Sequence, residues 1–235
     1  MKFTNTNKQW IRRTHKWLAI LVGIQIVVWV CTGLIISVID ATLVSGASTR
    51  QSVEPTVRPI PAQLFALDEL DLPPESEIRT IDLLAVVDHW IYRIDVADRS
   101  VAYDAVSGQA WTLALEDAEK IARASYRGDG EYVGGSLFGS GHDEVRGKGP
   151  VWQFLFADEQ ATRVYISSVD GSVIAHRNQY WQWVDFLLML HFMDYFGSNG
   201  FNSAHLILVA FLSLVLVVLG LFLVVTTFKK RHFNL

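Results

Sequence analysis

Cysteine is almost absent from this sequence, since Cys31 is the only one among 235 residues. It lies within a long apolar run, so the rest of the chain has no disulfide and must fold on its hydrophobic core. The sequence also lacks a Cys-x-x-Cys pair, a His-Glu-x-x-His helix, a Ser-His-Asp set and a phosphate-binding loop ending in Lys-Ser/Thr. These absences disfavour a self-contained enzyme, and neither a catalytic residue nor a metal ligand is assigned.

Acidic residues are absent from both ends of the chain. Residues 1–16 carry five cations and residues 228–235 carry three, with no acid in either tail. All 24 acids lie between Asp40 and Asp194, where only 12 cations accompany them. The negative middle argues against nucleic-acid binding, and its dispersed acids are interpreted as a solvated surface.

Charge is absent from two 23-residue runs, 17–39 and 206–228. Each run exceeds the roughly 20 residues that cross a bilayer, and neither shows a polar stripe. The flanking basic tails predict that both termini are cytoplasmic and that the middle of the chain is periplasmic or extracellular. A cleaved signal peptide is the alternative for the first run, because small residues follow it at 45–48.

The central region contains an apparent internal repeat. Residues 101–110 and 164–173 both read as a strand, a Val-x-Gly turn and another short strand. Gly108 and Gly171 fit turn positions that require a positive φ. Strands are predicted upstream at 78–85, 89–96, 131–137 and 151–156, and helices at 62–67 and 115–125. The sequence therefore predicts an α+β fold of two α-β-β-β antiparallel units bracketed by two membrane helices.

Short motifs along the chain resemble the PepSY-associated transmembrane proteins. They are Arg13-Thr14-His15-Lys16-Trp17-Leu18, Thr32-Gly33-Leu34, the turns Val106-Ser107-Gly108 and Val169-Asp170-Gly171, and Leu190-His191 followed by Phe196-Gly197. The resemblance implies PepSY-like units. Larger members have four or more spans, and some are di-haem ferric-siderophore reductases whose histidines bind haem in a helix bundle. Other PepSY modules belong to peptidase propeptides.

Three histidines near the predicted spans are candidate cofactor ligands: His191, His205 and His15. The aromatic stretch 181–196 is too short to span and is expected at the outer membrane surface. A turn at 197–200 would bring His191 and His205 to a similar level, which is compatible with haem b bridging them within one chain or across a dimer. His15 is expected at the cytoplasmic end, too far along the membrane from His205 to share a haem. A hydrogen-bonding or headgroup-contacting role remains open for all three.

Two other features of the sequence bear on sites and packing. Gln25 and the Gly33-x-x-x-Ser37 pair are candidates for contacts between membrane helices. A metal-binding role for His142, Asp143 and Glu144 is weighed against ordinary solvated polarity, which is preferred.

These observations favour an accessory in periplasmic electron transfer or iron/siderophore reduction, placed in a bacterial inner membrane. Its partners would be lipid, a membrane or periplasmic protein, and a second copy in a homodimer. The alternatives are a non-catalytic module that binds or restrains a periplasmic partner such as a peptidase, and a structural assembly factor. The predicted segments are a basic tail 1–16, a span 17–39, a linker 40–60, PepSY-like units 61–114 and 115–179, an interfacial helix and turn 180–200, a span 201–228 and a basic tail 229–235.

Overall fold

The computed structural model describes residues 5–54, 57–72, 77–97, 99–140, 142–195 and 203–228. The predicted turn at 197–200 and the C-terminal tail at 229–235 lie outside these residues. The described chain forms two compact units, one of Met1–Ile39 with Trp183–Leu235 and one of Asp40–Gln182.

The first unit is built from apolar helices. Helix α1 spans Asn5–Val38 and α5 spans Ala204–Phe228, and the C-terminal part of α4 (Gln179–Phe192) belongs to the same unit. Within them, Gln9–Val38 and Ala204–Thr226 are long and apolar enough to cross a membrane. At 1.5 Å per residue these segments are about 45 and 35 Å long, more than the ~30 Å of a hydrocarbon core. The prediction of two apolar helices is confirmed.

The second unit contains two antiparallel sheets, as the α+β prediction required. The first sheet has the order β1-β2-β3 and the second has the order β4-β5-β6-β7. The strands are β1 Ile78–Val86, β2 His89–Val96, β3 Ser100–Asp104, β4 Glu131–Phe138, β5 Val151–Ala157, β6 Arg163–Ser167 and β7 Val173–Arg177. Gly108 and Gly171 adopt φ of 72° and 70°, the left-handed conformation predicted for their turns.

Helix α3 (Leu115–Ser125) forms where its apolar spacing predicts. Its first turn carries Glu116 and Asp117, which the positive end of the helix dipole favours. Ala118 and Ala122 are fully buried in a core cluster with residues of both sheets. One continuous core therefore joins the two halves of this unit.

The prediction of a helix at 62–67 is wrong. The structure has no helix there, and only a 3-10 turn follows at Leu67–Glu69. The segment follows Pro61 directly and has no Ser, Thr, Asp or Asn at its start, so no N-cap offsets the cost of nucleating a helix. Leu64 and Phe65 instead pack as extended chain against the core of the first sheet. The two predicted repeat units also differ in strand number. The chain continues into a full strand, β7, after the Gly171 turn, whereas no named strand follows the Gly108 turn directly.

Short segments complete the second unit. Helix α2 covers Ala41–Val44 and is capped by Asp40, whose side chain accepts a hydrogen bond from the Thr42 amide. Further 3-10 turns cover Ala47–Thr49 and Asp143–Val145. Residues 49–51 then pair with 125–127 through an isolated bridge, which ties the start of the linker to the end of α3.

Candidate functional site: a histidine seat on the first helix

His191, near the end of α4, sits against α1 at the predicted Thr-Gly motif. Its Nδ1 lies 3.0 Å from Thr32 Oγ1 and 3.1 Å from the Trp29 carbonyl oxygen. Its ring stacks on the Trp29 indole at a centroid distance of 5.1 Å and an interplanar angle of 16°. Gly33 leaves room for the ring. A Cβ at this position would lie only 3.0 Å from His191 Cε1. We call Trp29, Thr32 and Gly33 the histidine seat.

The hydrogen bonds of the seat fix the tautomer of His191. The Thr32 hydroxyl has carbonyl acceptors within its own helix, Val28 at 2.8 Å and Trp29 at 3.1 Å. Its oxygen is therefore free to accept, and the Trp29 carbonyl can only accept. Nδ1 of His191 must carry the proton that both oxygens face. The lone pair of a neutral imidazole is then on Nε2, the arrangement that metal-ligating histidines adopt.

His15 occupies a second glycine site, nearer the N-terminal end of α1. A Cβ on Gly220 of α5 would lie 3.1 Å from His15 Cε1. The Nδ1 atom of His15 is buried and has no hydrogen-bond partner among the described residues. Each of these two histidines thus lies against a glycine on another helix, where a larger residue would displace the ring.

His205 lies at the beginning of α5. Its ring meets that of Tyr195 edge-on at a centroid distance of 5.9 Å. Residues 196–202, which connect the two, are outside the described part of the chain.

His15 lies at a different depth along the helices from His191 and His205. Along α1, His15 is 18 residues before Gly33, about 27 Å at the helical rise. Along α5, His205 is 15 residues before Gly220, about 22 Å. His15 is therefore far from both other histidines within one chain.

The second unit contains a Ser-His contact that inspection of the sequence missed. Ser125 Oγ lies 3.1 Å from His176 Nε2, and Thr49 Oγ1 lies 3.5 Å from Nδ1. Ser125 and His176 are fully buried, and the serine hydroxyl donates to the Ala122 carbonyl. A buried hydroxyl committed to a carbonyl cannot serve as a nucleophile. Burial, with a smaller effect of Arg50, lowers the pKa of His176 to about 4.

The interpretation of Glu144 as solvated polarity is wrong. Its carboxylate is buried and accepts hydrogen bonds from Arg163 Nε at 2.8 Å and from Tyr165 Oη at 2.6 Å. Gln182 Nε2, from the first turn of α4, donates to its other oxygen at 2.7 Å. Burial opposes ionisation, but these hydrogen bonds outweigh it and hold the pKa of Glu144 below its ordinary value. The sequence does not reveal this burial, because the ion-pair partner Arg163 is 19 residues away in the chain.

No cluster of three His, Cys, Asp or Glu side chains suited to a metal ion occurs among the described residues. The histidine seat therefore holds one potential ligand, His191. Sequence reasoning singled out His191 and Thr32-Gly33 separately. It did not pair them, although Trp29, Thr32 and Gly33 share one helix face by their spacing.

Comparison with known proteins adds one match. A family model described as the PepSY-associated TM region matches residues 12–235. No curated protein and no solved structure matches the chain significantly.

Proposed function

This chain belongs to the PepSY-associated transmembrane family, and from that premise we propose that it is a membrane-anchored accessory of electron transfer. It would reside in a bacterial inner membrane with both basic tails in the cytoplasm and the second unit in the periplasm. There it would serve periplasmic electron transfer or iron/siderophore reduction. Haem b is the proposed cofactor, with His191 and His205 as ligands, alone or together with a partner subunit.

The observation that supports this proposal is the state of His191. An iron ligand must present a lone pair and must be held in one orientation. The Trp29 carbonyl and Thr32 hydroxyl hold Nδ1–H, at 3.1 and 3.0 Å, and leave Nε2 with the lone pair. Gly33 lets the ring approach the helix closely. These contacts fit a histidine that would hold the haem through Nε2.

The other two histidines have separate roles in the proposal. His205 is the proposed second ligand because both it and His191 flank the connection between α4 and α5. His15 is about 27 Å along α1 from the seat and would serve a different site, completed by another chain.

Haem b would supply one-electron chemistry at this site. The protein would hold the ligand ring, set its tautomer and surround it with apolar side chains. Trp29 stacks on one face of His191, and Phe192 meets the ring edge-on at a centroid distance of 5.2 Å. An apolar surround of this kind limits water access and tunes a redox potential.

The reduced-minus-oxidised visible spectrum of the intact protein, purified in mild detergent from haem-replete cells, tests the proposal. We expect a near-stoichiometric haem b signal that His191→Ala and His205→Ala each abolish. His89→Ala is the matched control, because His89 is half-exposed and contacts Asp104 in the second unit. Colourless wild-type protein would refute haem binding by this chain alone.

A binding module is the second candidate, favoured by the edges of the two sheets. Strands β1 and β4 are edge strands, and each exposes aliphatic side chains, including Ile81 at 40% and Val133 at 65%. Exposed apolar edges accept an added strand from a partner. This candidate predicts that Val133→Lys abolishes co-purification of a periplasmic partner such as a peptidase and leaves the spectrum unchanged.

A further inference from the structure

We propose that a cleft in the second unit binds a free aliphatic amino acid, whose carboxylate contacts Arg50 and whose ammonium group contacts Asp170. The proposal goes beyond electron transfer and does not rest on haem binding. Every residue that lines the cleft lies between positions 47 and 173, within this one folded unit.

The cleft lies where the first sheet meets the second. The end of β1 and the turn after it supply Val86 and Val87, helix α3 supplies Ile121, and the turn into β7 supplies residues 171–173. The volume of the cleft is about 590 Å³. Small-molecule pockets span roughly 300–1,000 Å³ and favour junctions between folded parts, so the cleft has the size and place of a ligand site.

Branched aliphatic side chains line the inner part of the cleft. Val86 is 7% exposed, and Val87, Ile121 and Val173 are half-buried. A Cβ on Gly171 would lie 2.9 Å from Val86 Cγ1 and 3.1 Å from Ile121 Cδ1, so this glycine allows the second sheet's turn to approach the first sheet. The lining suits an aliphatic side chain, which leaves water on entering it.

Val87 has a strained backbone conformation beside the cleft. Its φ is 50°, in the left-handed region that glycine or asparagine adopts at hairpin turns and that a β-branched residue adopts at a cost. Strained residues concentrate at ligand sites. The Val87 side chain packs against the core and also lines the cleft, where a ligand can contact it.

Two opposite charges are anchored at consecutive residues of the cleft wall. Arg50 Nη2 donates to the Val173 carbonyl at 3.2 Å. Asp170 Oδ1 accepts from the amide and the hydroxyl of Ser172 at 3.1 and 2.7 Å. The Cα atoms of consecutive residues are about 3.8 Å apart. The carboxylate and ammonium groups of an amino acid, which share one carbon atom, are likewise only a few ångströms apart.

Both charges remain available to a ligand. Among the described residues Arg50 makes no ion pair, which leaves N–H groups for a carboxylate. Asp170 pairs with Arg93 at 2.9 Å, but Arg93 also pairs with Asp82 at 2.7 Å. Two carboxylates share one guanidinium, so one negative charge remains uncompensated. The Asp170 side chain is 11% exposed and is screened less than the exposed Glu54 on the rim.

The charges and the apolar lining together select the class of ligand. An aliphatic carboxylate leaves the negative charge at Asp170 unmatched, and an alkylamine leaves Arg50 unmatched. A residue inside a peptide has neither charged group. A free amino acid with a branched aliphatic side chain complements all three features, and unmatched polar groups in a binding site reduce affinity.

Calorimetric titration of L-leucine into the full-length protein in mild detergent tests the proposal. We expect saturable binding at one site. Binding should be at least about tenfold weaker for 4-methylpentanoate, which lacks the ammonium group, and for 3-methylbutylamine, which lacks the carboxylate. Absence of saturable L-leucine binding, or equal binding of the three compounds, would overturn the proposal.

A pair of arginine variants tests the carboxylate contact. Arg50→Gln should weaken L-leucine binding about tenfold or more, because it removes a charge-assisted hydrogen bond. Arg127→Gln is the matched control, since Arg127 is exposed and donates to the Ser48 carbonyl but does not line the cleft. Binding by this control should equal that of the wild type. Equal binding by both variants would refute the role of Arg50.

The ratio of L-leucine to glycine affinity tests the apolar lining independently of overall stability. The wild type should bind L-leucine about tenfold or more tightly than glycine, because only leucine fills the lining. Val87→Asn keeps a residue that tolerates the left-handed turn and should reduce this ratio severalfold. An unchanged ratio would refute the contact between Val87 and the ligand side chain.

Discussion

At the scale of single residues, the position of His191 depends on a missing side chain. Gly33 leaves space for the imidazole, and Thr32 and Trp29 orient it. Gly220 does the same for His15. Small residues let membrane helices and their side chains approach closely, and here the approaching group at each of these two glycines is a histidine ring.

A valine at position 33 should displace His191 from its seat. The added Cβ would lie 3.0 Å from the ring, so we expect overpacking that lowers the free energy of unfolding by about 1–3 kcal/mol. Gly23→Val is the control, because a Cβ at Gly23 meets nothing within 4 Å. Unfolding by SDS titration in mixed micelles measures both variants, and equal destabilisation of the two would contradict the seat.

His176 should make the stability of the second unit depend on pH. Its pKa is about 4 in the folded protein and about 6.5 in an unfolded chain. Between these values the unfolded state binds more protons than the folded state. The contribution of His176 to stability is therefore complete above pH 6.5 and is lost as the pH falls toward 4. The loss is about 3 kcal/mol at 1.36 kcal/mol per pKa unit.

The upper part of this pH range isolates His176 from the carboxylates. The folded-state pKa of Glu144 is below its usual value, so its contribution is lost only as the pH falls below about 4.5, its unfolded value. Urea unfolding of the full chain should therefore show that the free energy of unfolding of the wild type falls between pH 7 and pH 5. The free energy of unfolding of His176→Gln should stay nearly constant over the same range. A wild-type profile equal to that of the variant would contradict this assignment.

At the scale of elements, Glu144 connects the second sheet to the first turn of α4. Arg163 and Tyr165 on β6 and Gln182 on α4 all donate to its carboxylate. The guanidinium of Arg177 on β7 also lies 4.5 Å from the ring centroid of Trp181 on α4. The start of α4 is therefore held by the hydrogen bond from Gln182 to Glu144 and by the cation–π contact between Arg177 and Trp181.

Removing the charge of Glu144 should destabilise this junction. Side chains of the Glu144–Arg163 pair are 9% and 12% exposed, so Glu144→Gln leaves a nearly buried cation unpaired, at a cost of about 3 kcal/mol. Urea unfolding at pH 7 measures the loss. Lys120→Gln breaks the ion pair that the well-exposed Lys120 makes with Asp117 and should leave the midpoint nearly unchanged. A similar loss in both variants would contradict a special role for Glu144.

At the scale of the whole molecule, a membrane protein with two apolar helices carries one folded unit between them. Its two tails carry cations and no acid, and all of its acids lie in the middle of the chain. Under the positive-inside rule this asymmetry predicts that both termini are cytoplasmic.

Reporter fusions test the orientation. Green fluorescent protein at the C-terminus should fluoresce, since it folds in the cytoplasm, and alkaline phosphatase at the same position should be inactive. Protease added to spheroplasts should cleave near the exposed Val57 and leave the C-terminal fusion intact. Active phosphatase at the C-terminus would reverse the proposed orientation.

Sequence alone determined the features that depend on local pattern. The two apolar helices follow from long uncharged runs. The strands, helix α3 and the positive φ of Gly108 and Gly171 follow from alternation, helical spacing and turn chemistry. The motifs that carry the family resemblance are likewise local, and the family model matches residues 12–235.

Only the tertiary structure decided which side chains meet. The seat joins Thr32 to a histidine 159 residues away, and Glu144 is buried because β6 supplies its partners. The expected helix at 62–67 gave way to extended chain because Leu64 and Phe65 gain more by packing on the first sheet. Periodicity shows which face of an element is apolar. It does not show which distant residue covers that face, because contacts between elements depend on how the whole chain packs.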